Sequence, residues 1–184
     1  MSRLTVYPDN DSARPQLDTT DSGQIAAALQ VAQVRFERWE ASRQLPLDAD
    51  DRGVLEAYDH EIQRLKAQCG YQSVDVLRLL PDHPDRQALR RKFLDEHTHD
   101  EDEVRFFVEG AGVFYLRTGG KVYMTLCERG DLLSVPAGTR HWFDMGPAPH
   151  FTAIRLFTTP QGWVARFTGD PIAQRFPRFE TPPT

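Results

Sequence analysis

At 184 residues and 21.0 kDa, with 40% hydrophobic residues, the chain is long enough for a sizeable core and short enough for one domain over 1–184. Its net charge of -5, with basic residues scattered rather than clustered, excludes a phosphate-binding face and so argues against a nucleic-acid partner. No apolar leader opens the chain and no run approaches the ~20 apolar residues of a membrane span, which points to a soluble cytoplasmic protein with no membrane partner.

The opening MSRLTVYPDNDSARP offers one strand-like stretch, Leu4 to Tyr7, suited to a sheet edge and followed by turn formers. From Gln24 to Glu40 the apolar positions Ile25, Ala28, Leu29, Ala32, Phe36 and Trp39 recur at helical spacing, which predicts an amphipathic helix. A second helix begins near Asp51, carries Val54, Leu55, Tyr58, Ile62, Leu65 and Cys69 on one stripe, and ends at Gly70. Cys69 and Cys127 are too few and too unpatterned for a disulfide framework or thiolate zinc site, and two reduced thiols are expected, although counting leaves one bridge open. Ser73 to Leu80 alternates as a strand, PDHP punctuates the chain, and Asp85 to Phe93 predicts a short helix capped by its acidic start.

From His97 onward short apolar or alternating runs are cut by glycine and proline: VRFFVEG, GVFYLRTGGKVYMTL, DLLSVPAG and HFTAIRLF. In TGGK, Gly119 and Gly120 can take the positive φ of a two-residue hairpin turn. The fold class is therefore mainly β, an antiparallel sandwich or barrel with two or three helices in the N-terminal half. The proline-bearing end FPRFETPPT is expected to wrap the surface or fray.

The stretch HTHDEDEV, residues 97–104, raises the main functional question. If it is a strand, His97, His99, Glu103 and Arg105 share one face and Phe107 continues it, while Thr98, Asp100, Asp102 and Val104 face away. Two imidazoles and a carboxylate converging from a sheet suit a divalent metal with open positions. For the pair of histidines alone, an acidic surface turn is the better explanation. GDLLSVPAGTRHWFDM shifts the balance, since its proline-glycine turn delivers His141 as a fourth ligand from a distant strand.

These two stretches resemble the cupin motifs. His97, His99, Glu103 and Gly110 match the first, and Gly130, Pro136, Gly138 and His141 the second. Arg91 stands where the first motif often begins with glycine, and Met145 where the second often ends with asparagine. Within the cupins the chain most resembles the bacterial acireductone dioxygenases over nearly its whole length. FLDEHTHDEDEVRFFVEGAGVFYLR and PAGTRHWFDMG carry that likeness, with Glu96 and Arg105 its most particular residues.

The resemblance implies a cupin jelly-roll barrel over about 73–168, a helical elaboration over about 22–70 and an irregular tail at 169–184. It implies a monomer that oxidises acireductone, an enediol ketone of methionine salvage, with O2. Fe(II), one per monomer, would direct the reaction to 4-methylthio-2-oxobutanoate and formate; Ni(II), the alternative, to 3-methylthiopropanoate, formate and carbon monoxide. It further implies that Glu96 and Asp102 assist metal loading or relay a conformational change, although solvated carboxylates on the outer strand face explain them as well from the residues alone.

Arg105, on the ligand face by strand parity, is the candidate to stabilise a substrate anion without titrating. Phe93 and Phe143 are candidates to wall a pocket around an apolar substrate tail, although aromatics near such motifs more often line the core, as Phe106 and Trp142 should. Arg155, amid apolar neighbours, needs a carboxylate partner if it points inward, and a buried ion pair stands slightly ahead of a substrate role. His60, His83 and His150 are expected at the surface. Two alternatives to the dioxygenase remain: another cupin metalloenzyme, such as an isomerase using Mn(II) or Zn(II), and a non-catalytic cupin that senses or stores a small ligand. The helices from Gln24 to Cys69 lack the helix-turn-helix spacing and basic face that a DNA-linked sensor would bring.

Overall fold

The computed structural model describes residues 1–43, 45–46, 49–159 and 164–180. In chain order its elements are β1 (Arg3–Pro8), β2 (Leu17–Thr19), α1 (Ser22–Val31), β3 (Arg35–Arg38), α2 (Asp51–Ala57), α3 (Asp59–Cys69), β4 (Ser73–Leu79) and α4 (Arg86–Leu94). These are followed by β5 (His97–Thr98), β6 (Glu103–Thr118), β7 (Lys121–Glu128), β8 (Asp131–Val135), β9 (Arg140–Asp144), β10 (Phe151–Phe157) and β11 (Arg166–Phe167), then a 3-10 turn at Pro171–Arg175.

The long strand β6 organises the barrel. Its first half pairs with β8 and β10, its second with β7 and β9, all antiparallel. The change of sheet falls at Gly110, where φ is +65° and an added Cβ would lie 1.7 Å from the His150 carbonyl oxygen. Only glycine combines that backbone conformation with so close an approach. One sheet runs β11-β5-β9-β6-β7-β1-β2; the other joins β3, β8, β6, β10 and β4. Between them Leu4, Val6, Phe36, Phe107, Phe114, Leu133, Phe143 and Phe151 form the barrel interior. The fold is thus the mainly β, antiparallel cupin barrel that the motifs imply.

Two outer layers complete the packing. Val54, Ile62 and Leu65 of α2 and α3 cover the outer face that presents Val104, Phe106 and Ile154. On the opposite side Ile172, Ala173 and Phe176 cover Tyr7, Tyr115 and Trp142, and the Tyr115 hydroxyl donates to the Pro177 carbonyl at 2.6 Å. The tail is therefore docked through Phe179, whose N donates to Asp144 Oδ2 at 3.0 Å, rather than frayed, while the last four residues of FETPPT lie outside the described residues. Among the described residues no helix is long and apolar enough to cross a membrane.

Several expectations need correction. The helix expected over Gln24–Glu40 stops at Val31, Gln33 turns the chain at φ 61°, and Arg35–Arg38 pairs with β8 instead. Val34 and Phe36 fit a two-residue alternation as well as a helical stripe, and pairing with β8 decides between them. The second helix breaks at Tyr58, whose ring is buried against Phe106, though Gly70 closes it in the left-handed conformation as expected. Leu4–Tyr7 belongs to an interior strand flanked by β2 and β7, so β2 takes the edge. Asp85 stands at the start of α4 without a capping side-chain bond. Ser73–Leu79, the Gly119–Gly120 hairpin and the two free cysteines match expectation.

Candidate metal centre

The sequence places the four ligand candidates on three local devices. His97 lies on β5 directly opposite His141 on β9, Glu103 opens β6, and His99 sits in the loop between β5 and β6. The strand assumed for the whole of HTHDEDEV is thus interrupted after Thr98. The loop is pinned instead by the second motif's turn: Gly138 N donates to the His99 carbonyl at 2.8 Å, and Ala137 N to Asp102 Oδ1 at 2.9 Å. Asp102 therefore ties the two motifs together rather than pointing freely into solvent.

His97, His99, Glu103 and His141 are all buried, and one donor atom from each lies within 4.8 Å of the others. The Nδ1 atoms of His97, His141 and His99 face the carbonyl oxygens of Asp95, Thr139 and Val164 at 2.7, 2.8 and 3.3 Å. A carbonyl can only accept, so each Nδ1 carries the proton and each Nε2 presents a lone pair. The Nε2 atoms of His99 and His141 lie 3.1 and 2.8 Å from Glu103 Oε2. Three lone-pair-bearing atoms aimed at one another in a dry site repel unless a cation lies between them. Their spacing also fits adjacent ligands in an octahedral shell, about 3.0 Å apart for bonds of ~2.1 Å. The donor set fits a divalent metal ion.

Charge around the cluster is arranged to keep those donors open. Burial and the neighbouring His141 push the His97 imidazole down to about 4, favouring its neutral form. Burial alone would raise Glu103, yet the Arg105 guanidinium beside it holds its carboxyl well below the usual range. Arg105 is itself only 1% exposed, and its Nη2 lies 2.7 Å from Glu103 Oε1 in an ion pair not aligned as a hydrogen bond. Its Nε and Nη1 have no hydrogen-bond partner among the described residues. The guanidinium carbon sits 4.4 Å from the centroid of Phe143, 4.9 Å from Phe114 and 6.0 Å from Phe93. Phe114 is a contact that its sequence position had not suggested.

Arg155 faces Arg105 across the β6–β10 pair and grips Asp75 through two hydrogen bonds of 2.8 and 2.6 Å. The carboxylate partner that an inward arginine needs is thus Asp75. Glu96 is not solvated but buried. It accepts from Arg117 at 3.2 Å and from the Thr168 hydroxyl at 2.7 Å, and Arg117 also reaches Asp170 at 2.8 Å. That cluster holds β11 along β5, and so holds the segment whose Val164 carbonyl orients His99. Nothing in the side chain of Val164 signals this backbone role. His60 and His150 are exposed and His83 is partly so, and none of them belongs to the four-residue cluster.

Three imidazoles and one carboxylate inside an antiparallel jelly-roll barrel define a cupin metal centre. The model of the ARD/ARD' family matches residues 3–165. An acireductone dioxygenase of Parvibaculum lavamentivorans is 61% identical over 183 residues, covering 100% of both chains, and one of Citrobacter koseri is 58% identical over 97% of this chain and 99% of its own. The solved acireductone dioxygenase from Bacillus anthracis, with a cadmium ion in its active centre, superposes with a TM-score of 0.79 at 30% identity, covering 91% of this chain and 98% of that one. The chain belongs to the ARD/ARD' family, the acireductone dioxygenases.

Proposed function

We propose that this chain is an acireductone dioxygenase of methionine salvage, holding one Fe(II) per chain through His97, His99, Glu103 and His141. Full-length identity of 61% to a protein of that name supports the activity and weighs against the isomerase and ligand-storing alternatives. With Fe(II) the products are 4-methylthio-2-oxobutanoate and formate; with Ni(II) in the same four ligands they are 3-methylthiopropanoate, formate and carbon monoxide. An ion held by these four residues would supply Lewis acidity to the substrate.

The chain's own contribution centres on Arg105. Its unpartnered Nε and Nη1, buried beside the ligand cluster, are donors for the negative charge of an enediolate, and this observation carries the mechanism. Arg105 needs no proton transfer to do this, since the guanidinium stays charged. Phe93 and Phe143, stacked edge to face at 6.3 Å, wall the pocket and keep water from Arg105. Arg155, held by Asp75, lends positive charge opposite Arg105 across the β6–β10 pair. Glu96 and Asp102 hold the loops that carry the ligands, and so govern metal loading. The enzyme acts as a cytoplasmic monomer on acireductone and O2.

Elemental analysis of purified protein tests the site. One iron or nickel per chain is expected for the wild type and near zero for His99→Ala and His141→Ala. Stoichiometric metal in either variant would contradict the ligand assignment.

A further inference from the structure

Gly112 lies in the stretch EGAGVFYLR, opposite Cys127 in the β6–β7 pair. Its φ lies outside the left-handed region, so the backbone does not demand glycine there. Space does. A Cβ at this position would stand 2.4 Å from Cζ and 2.6 Å from Cε2 of Phe143.

The ring has little room to retreat. Phe143 is 1% exposed and is hemmed in by Phe114, Phe151, Phe93 and Phe107, with centroids 4.8, 5.6, 6.3 and 6.5 Å away. On this ring rests the Arg105 guanidinium, 4.4 Å from its centroid and adjoining Glu103 Oε1. Gly112 is thus linked to the metal centre by two successive contacts, glycine to ring and ring to guanidinium, in a close-packed interior that transmits small displacements.

We propose that Gly112 is a positioning residue, whose missing side chain seats Phe143 beneath Arg105 and so fixes the guanidinium against the ligand carboxylate. The inference rests on Arg105 being the anion-stabilising group of the proposed reaction. Displacing that group by a fraction of an ångström lowers the rate far more than it lowers metal or substrate binding.

The test is a cycle of Gly112→Ala, Phe143→Leu and the double variant, assayed at saturating Fe(II) with acireductone and O2. Gly112→Ala should retain its iron and lower kcat roughly tenfold to hundredfold, with a smaller change in KM. In the Phe143→Leu background, where the clashing ring atoms are gone, the same substitution should change kcat by less than about twofold. If Gly112→Ala fails to fold, the comparison of the double variant with Phe143→Leu still decides. Full kcat in Gly112→Ala, or an equal fold-loss in both backgrounds, overturns the proposal. A crystal structure of Gly112→Ala, or of the double variant against Phe143→Leu if the single variant does not fold, gives a readout independent of turnover. A shifted Phe143 ring and Arg105 with unmoved ligands in Gly112→Ala supports the positioning role even if acireductone proves not to be the substrate. An unmoved Arg105 there, or an Arg105 shifted between the double variant and Phe143→Leu, overturns it alone.

Discussion

Arg105 and Glu103 lie two residues apart on β6, with Nη2 of one 2.7 Å from Oε1 of the other and both side chains only 2% exposed. The carboxylate therefore has two sides, Oε1 toward a fixed positive charge and Oε2 toward two imidazoles. The arginine serves both the ligand and whatever anion approaches it. Replacing it separates these roles. Arg105→Ala should still bind stoichiometric metal when saturated, with affinity weakened within about 10–100-fold. Its kcat/KM should fall about 100–1000-fold. Metal titration followed by steady-state assay checks both, and a variant that cannot be loaded at all would assign Arg105 to the site's structure instead.

Glu96 holds the ligand strand to the C-terminal segment through Arg117 and Thr168. Glu96→Ala removes both bonds and should cost about 1–3 kcal/mol of stability. Because β11 lies over the histidines, with Phe167 5.8 Å from His97, the same variant should lose its metal faster to EDTA than the wild type. Unchanged chelation kinetics would confine Glu96 to folding.

Gly110 carries the change of sheet. Gly110→Ala must place a Cβ against the His150 carbonyl at positive φ, and neither neighbour is a flexible side-chain end. A loss of at least about 3 kcal/mol is expected from denaturant unfolding, enough to threaten expression.

All five tyrosines are buried, and burial is the first cause raising each of their pKa values, to about 12 for Tyr71. Above the ordinary value near 10 the unfolded chain releases phenolic protons that the folded chain keeps. Stability is thus unaffected below that pH and falls as pH rises, by up to about 1.4 kcal/mol per pH unit per tyrosine. Absorbance at alkaline pH should show tyrosinate appearing together with unfolding. Gradual ionisation of a folded chain would contradict the burial.

The ligand set was legible because both motifs are local spacings around short turns, and turn chemistry survives folding. Strand parity put three of the four clustered residues, His97, His99 and Glu103, on one face through a wrong intermediate, and His141 came from the second motif. His99 converges with the rest because Gly138 and Asp102 pin its loop, a long-range relation no spacing encodes. The same limit hid β3, whose residues satisfy helical and strand periodicity alike until β8 is beside them. Asp75 as the partner of Arg155, Arg117 as that of Glu96 and the Val164 carbonyl behind His99 are likewise products of tertiary contact. Gly112 was passed over because glycine is expected to mark a turn, and here it marks a packed ring.

The most direct measurement strips the protein of metal, adds back Fe(II), Ni(II), Mn(II) or Zn(II) separately, and follows products from acireductone under oxygen. Turnover that requires metal is predicted, with formate and the 2-oxo acid from the Fe(II) form and carbon monoxide from the Ni(II) form. Equal loss of acireductone in every sample, metal-free protein included, would contradict the account.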